Sequence, residues 1–75
     1  MKAIQINITA KTEMAQAAAD HINGLAMANG FSTALTKDEL IQYVGWFIAQ
    51  IKECDEYIAA NLVIESEEIE LDNEE

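Results

Sequence analysis

One histidine, one cysteine and a set of clustered carboxylates are the side chains here with any prospect of reactive chemistry. His21 has Asp20 beside it, but neighbours in sequence on a helix point in different directions, so the two make no acid–base pair. Glu13 and Asp20 lie one heptad apart, too far for two carboxylates to share a proton. Cys54 sits among Glu53, Asp55 and Glu56, and these neighbours oppose the thiolate that a nucleophile requires. Ser32, Thr33 and Ser66 lack a second histidine or a lysine at a recognisable motif spacing. Gly24, Gly30 and Gly45 are isolated, so no glycine-rich phosphate loop exists. A single His and a single Cys do not complete a structural zinc site. The acids at 65, 67, 68, 70 and 72 lack the loop glycine and the alternating Asp/Asn pattern of a calcium loop. The expectation is no catalytic residue, no cofactor and no metal: the chain is not read as an enzyme.

What remains is charge, and its placement is lopsided. Residues 1–52 contain the acids Glu13, Asp20, Asp38 and Glu39 and the bases Lys2, Lys11, Lys37 and Lys52, which cancel. Residues 53–75 contain Glu53, Asp55, Glu56, Glu65, Glu67, Glu68, Glu70, Asp72, Glu74 and Glu75, with no base at all. The entire net charge of −10 therefore falls in the last 23 residues, and there is no arginine anywhere. Binding to nucleic acid depends on Lys and Arg that neutralise phosphates and release counterions, so direct nucleic-acid binding is not expected. An anionic membrane surface is excluded on the same ground. No apolar run approaches the length that spans a bilayer. Gln5 and Asn7 interrupt what would be the apolar part of a signal peptide. A cytoplasmic setting is the expectation, and one unpaired cysteine fits a reducing compartment.

The elements that must carry these groups are few, because 75 residues make one domain at most. Residues 3–9 alternate Ile4, Ile6 and Ile8 with Gln5, Asn7 and Thr9, the period of a half-buried strand. Residues 12–29 read as a helix with Thr12 at its N-cap, Glu13 in its first turn and Gly30 as a left-handed stop. Met14, Ala18, Ile22 and Leu25 form its expected apolar stripe, and its many alanines allow a neighbour to approach closely. Residues 31–35 form a connector, with Phe31 turned back onto the core. Thr36 and Glu39 make a capping box, with Leu35 and Leu40 as the hydrophobic staple. The helix they open is predicted over 37–59. Leu40, Val44, Phe47, Ile51, Cys54 and Ile58 repeat along it at 4-3 spacing, and Ile41 and Ile48 widen that seam. Gly45, in mid-helix, leaves room for a close backbone. Tyr43, Trp46, Gln50 and Tyr57 line a flank of the seam. The acids at 53, 55 and 56 would crowd the C-terminal turns, where the helix dipole disfavours them. Leu62, Val63 and Ile64 are strand-prone, Ile69 and Leu71 continue on the face of Val63, and 72–75 are expected to be a disordered acidic tail.

The predicted fold is α+β and helix-dominated, a β-α-α-β chain in one domain over 1–71, with an antiparallel helical hairpin and two short terminal strands set to pair antiparallel beside it. A domain this small commonly needs a staple, and with one cysteine the expected staple is a second copy, a homodimer. Function is expected to lie in binding. The acids interleave with Val63, Ile64, Ile69 and Leu71, which a purely solubilising tail does not require. Glu53, Asp55, Glu56, Glu65, Glu67, Glu68 and Glu70 are the predicted contacts for a basic protein surface, with Trp46 and Tyr57 as anchors. Such an inhibitor or modulator would imitate rows of phosphates and could cover a nucleic-acid-binding surface, as small acidic phage inhibitors do by analogy of composition. The alternative is a structural or assembly protein that self-associates through Leu40, Val44, Phe47, Ile51 and Ile58.

Overall fold

The alternation over residues 3–9 forms a strand, β1 (Lys2–Ala10), and it occupies the centre of a three-stranded sheet. The computed structural model of the chain describes residues 2–70. Leu71 and the stretch 72–75 expected to be disordered lie outside the described residues. After β1 come α1 (Glu13–Asn29), β2 (Thr33–Ala34), α2 (Lys37–Lys52), α3 (Glu56–Ala59) and β3 (Leu62–Glu70). The strand order is β2-β1-β3 and both pairings are antiparallel. The terminal strands pair antiparallel, and at nine residues each they are longer than the short strands expected, in unbroken register from Lys2 opposite Glu70 to Ala10 opposite Leu62.

Alternation sets the two faces of this sheet. Ile6 and Ile8 are buried, and Ile4, Ala10 and Ile64 pack on the same core. The helices cover that face. Its centre is Phe47 of α2, with Ala15, Ala19, Ile22 and Ala26 of α1, Ala34 of β2 and Leu62 of β3 around it. Phe47 has no exposed surface. Phe31 lies between Tyr43 and Trp46 with ring centroids 4.9 Å away in each case, and Trp46 meets Phe47 edge-on at 5.2 Å.

Four expectations need correction. The buried stripe of α1 is Ala15-Ala19-Ile22-Ala26, one position round from the expected line, and Met14 is 64% exposed. Small side chains face the sheet because they let the helix lie close to it, so the larger Met14 is turned outward. The connector contains a third strand: Thr33 pairs with Gln5 and Ala34 with Ile4. Leu35, the expected staple for Leu40, is half exposed. The capping box beside it is present, with Thr36 Oγ1 accepting from Glu39 N–H at 3.1 Å and Glu39 Oε1 accepting from Thr36 N–H at 3.2 Å.

The fourth correction is the break in the second helix. α2 ends at Lys52 with Glu53 as its C-cap, and α3 begins after Asp55. The Asp55 carboxylate accepts from Tyr57 N–H at 3.1 Å as an N-cap, and Glu56 takes the first helical position. Acids that a continuous helix would hold at its negative end instead stand at a positive end, where they are favoured. The two long helices meet only sparsely. Each is held chiefly by the sheet, so the pair is less a hairpin than a layer.

One polar contact closes the sheet on its β2 side. Ile6 N–H still reaches Ser32 O at 2.8 Å, but β2 is too short to serve Ile8. Asn23 of α1 takes its place: Oδ1 accepts from Ile8 N–H at 2.8 Å and Nδ2 donates to Ile8 O at 2.9 Å. Asn23→Ala leaves both backbone groups of a partly buried position without partners, a loss of about 2 kcal/mol. Urea denaturation should show a lower midpoint with an unchanged slope. Gly24, next to it, is exposed and a β-carbon there would meet nothing within 4 Å, so Gly24→Ala should raise stability by about 1 kcal/mol in the same assay.

Candidate interaction surface

The face of the sheet away from the helices is built from Ala3, Gln5, Asn7 and Thr9 of β1, Thr33 of β2, and Val63, Glu65, Glu67 and Ile69 of β3. Glu67 stands opposite Gln5 and Glu65 opposite Asn7, and all four are exposed. Thr9 with Val63, and Ala3 with Ile69, bound this central patch at its two ends. The face is therefore acidic in the middle and uncharged around it, with no lysine among these strand residues. Neither Glu65 nor Glu67 has a side-chain partner among the described residues.

The other predicted acids are placed differently. Alternation turns Glu68 and Glu70 to the helix side of β3. Glu70 is opposite Lys2 in the register. Glu68 lines a depression of about 180 Å³ together with Lys2 and Lys37, beside Ile4 and Leu35. Two of the four lysines are thus gathered where these two acids are, and the local charge there is close to balance. Glu53, Asp55 and Glu56 cluster on the connector between α2 and α3. All three are exposed, and Asp55 is engaged as a cap.

The expected anchors also part company. Trp46 is half-buried between Phe31 and Phe47 and belongs to the aromatic packing of the core. Tyr57 is 56% exposed and stands beside Glu56 in α3. Of the residues expected to mediate self-association, Phe47 is fully enclosed by its own chain, and Leu40, Ile51 and Ile58 pack against the same core. Val44 is half-buried. The side of α2 that faces outward carries Ile41, Gly45, Ile48 and Lys52 at spacings of 4, 3 and 4. Ile41 is 69% exposed, and a β-carbon at Gly45 would meet nothing within 4 Å. The signal for this second stripe is in the sequence, because Ile41 and Ile48 are seven residues apart, but it was merged there with the seam.

His21 is exposed, and Cys54 is half-buried with its Sγ 3.6 Å from Gln50 O. His21 thus belongs to α1 and Cys54 to the connector between α2 and α3, and no hydrogen bond joins them. No group of three or more potential metal ligands occurs among the described residues. No helix among them is long and apolar enough to cross a membrane. No protein-family model, curated protein or solved structure matches the chain.

The acids of the open face do not hold the fold together. Glu65 and Glu67 sit two residues apart on one face and repel each other across about 7 Å. The double variant Glu65→Gln/Glu67→Gln should melt no lower than the parent chain, and any gain should shrink as salt is added. A large drop in melting temperature would show that these carboxylates are structural.

Proposed function

We propose that this chain is a protein-binding module, not an enzyme, and that it acts as an inhibitor or modulator by covering a basic surface of a target protein. The observation that carries the reading is the placement of Glu65 and Glu67 on the sheet face away from the helices, opposite Asn7 and Gln5 and with no lysine across from them. Negative charge that serves solubility alone can stand anywhere on a surface. Here it stands on an ordered strand of nine residues whose register fixes where each carboxylate points. A rigid row of carboxylates presents a basic surface with some of what a row of phosphates presents, so a nucleic-acid-binding surface is a natural target class. Electrostatic complementarity would speed encounter and select basic partners over others. Glu53, Asp55, Glu56 and Tyr57 form a second acidic patch around one exposed aromatic, which extends the contact. Glu68 and Glu70, close to Lys2, take a smaller part.

The test uses a partner captured from extracts of the source cell by the immobilised chain. Affinity for that partner should fall steeply with added salt, and Glu65→Gln/Glu67→Gln should weaken it by about tenfold. The triple change Glu53→Gln/Asp55→Asn/Glu56→Gln should have the weaker effect. Equal affinity of the parent and of both variants at low salt would reject the reading.

The outward stripe of α2 favours a second reading, self-association. Ile41 and Ile48 flank Gly45, which leaves room for a second helix at short range. Lys52 at the end of the stripe could then meet acids of the other copy. If this stripe is the interface, Ile41→Glu and Ile48→Glu each turn a dimer into a monomer in sedimentation, with the fold intact by circular dichroism. A parent chain that sediments as a monomer at micromolar concentration would remove this reading.

A further inference from the structure

We infer that the free edge of β3 takes up an extended, cationic segment of the partner as a fourth, antiparallel strand. The inference rests on the reading above that the partner is basic, and adds where and how it binds. The hydrogen bonding of the sheet shows which groups of β3 are unused. Lys11 N–H reaches Asn61 O at 2.8 Å, which sets the phase of the β1–β3 ladder: odd-numbered residues of the two strands exchange bonds with each other. The even-numbered residues of β1 point the other way, as the bonds of Ile6 to Ser32 and of Ile8 to Asn23 confirm. In β3 the even-numbered residues Ile64, Ser66 and Glu68 therefore direct N–H and C=O away from β1, to the edge of the sheet. β3 pairs with no other strand among the described residues.

Edges of sheets are normally blunted by short length, a bulge, proline, charged side chains or a covering segment. β3 is nine residues long, contains no proline or glycine, and keeps continuous register with β1. Of these devices its described residues supply charge, and that charge has one sign. An antiparallel copy of β3 would set glutamates against glutamates, which is unfavourable, so the edge rejects its own kind. A basic strand meets the opposite situation. On the open face its side chains would lie beside Val63, Glu65, Glu67 and Ile69, an apolar-acidic-acidic-apolar series at every second residue. The complementary segment has the order apolar, basic, basic, apolar at the same spacing, with its alternate residues opposite Ile64, Ser66 and Glu68. Main-chain bonds would give affinity, and the two central charges would give selectivity.

The probe is a capped peptide, Val-Thr-Lys-Thr-Lys-Thr-Val, titrated into the full chain and followed by amide NMR. Binding should protect the amides of Ile64, Ser66 and Glu68 from exchange. The same peptide N-methylated at its three threonines keeps its charge but loses its edge donors, and should bind roughly tenfold or more weakly. A peptide with Glu in place of Lys should not bind. Ser66→Pro should abolish binding of the first peptide. The ring replaces an N–H that the ladder does not use, so the fold should survive, as circular dichroism would check. Equal binding of the methylated and unmethylated peptides would overturn strand addition while leaving a basic partner intact. Protection at α2 instead of β3, or a β3-edged dimer of the chain alone, would overturn it as well. Absence of peptide binding while a captured basic protein still binds would also reject the edge, and indifference of that protein to Glu65→Gln/Glu67→Gln would reject the parent reading.

Discussion

The rest of the structure depends on the pairing of β1 with β3. These strands come from opposite ends of the described chain, yet they run side by side without a bulge from Lys2–Glu70 to Ala10–Leu62. Side chains alternate with a period of two, so a slip by one residue would move every one of them to the other face. Burial of Ile6, Ile8 and Leu62 under Phe47 and the alanines of α1 forbids that slip. The direction of every β3 carboxylate follows from the same constraint. Glu65 and Glu67 face outward because Ile64 must face in, and Glu68 turns toward the helix side for the same reason. The electrostatics of the molecule are thus a consequence of where its apolar residues are buried.

The described acids of residues 53–70 fall into three environments. Acids at 55 and 56 would have been costly at the end of one long helix. The break after Lys52 removes that conflict for these two, since Asp55 becomes a cap and Glu56 a first-turn residue, whereas Glu53 stays at the negative end of α2 as its C-cap. Glu68 and Glu70 lie near Lys2, and Lys37 shares the depression that Glu68 lines. Among the described acids of β3, Glu65 and Glu67 have neither a structural task nor a base opposite them. The unmatched charge of β3 therefore lies in the middle of one sheet face and beside the strand edge.

Much of this architecture was legible in the residues. The isoleucine alternation, the cap at Thr12, the stop at Gly30 and the capping box at Thr36 are local signals, and each has a local physical cause. Gly30 adopts φ 78°, and Phe31 N–H then returns to Ala26 O at 2.8 Å to close the helix. What could not be read depends on distant partners. Thr33 and Ala34 are too short a run to show a period, and they become a strand only because β1 offers an open side. Asn23 looks like any helix residue until Ile8 is beside it. The stripe of α1 departs from its larger apolar residues Met14 and Leu25, because a helix lying close on a sheet favours alanine at the contact. The two faces of α2 were merged because apolar residues surround much of it, and only packing tells Phe47 from Ile48. For the site, segregation of charge was evident from composition, but the split of the acids between faces required the register.

The combination of a thin core and a one-sided charge has a thermodynamic consequence. A domain of this size is held by a small margin, and much of its core here is alanine, which buries little area per residue. Its excess carboxylates repel one another and oppose the compact state. A ligand that binds only the folded form adds to stability in proportion to the logarithm of its concentration over its dissociation constant. A cationic strand on β3 would act through all three of these terms at once. It would neutralise the repulsion at Glu65 and Glu67, occupy the main-chain groups of Ile64, Ser66 and Glu68 that point away from β1, and cover a long side of the sheet that no strand pairs among the described residues. On the proposed reading, the strand edge left unpaired among the described residues lies beside the acids that would select a partner, so recognition and completion of the sheet would fall on the same few residues.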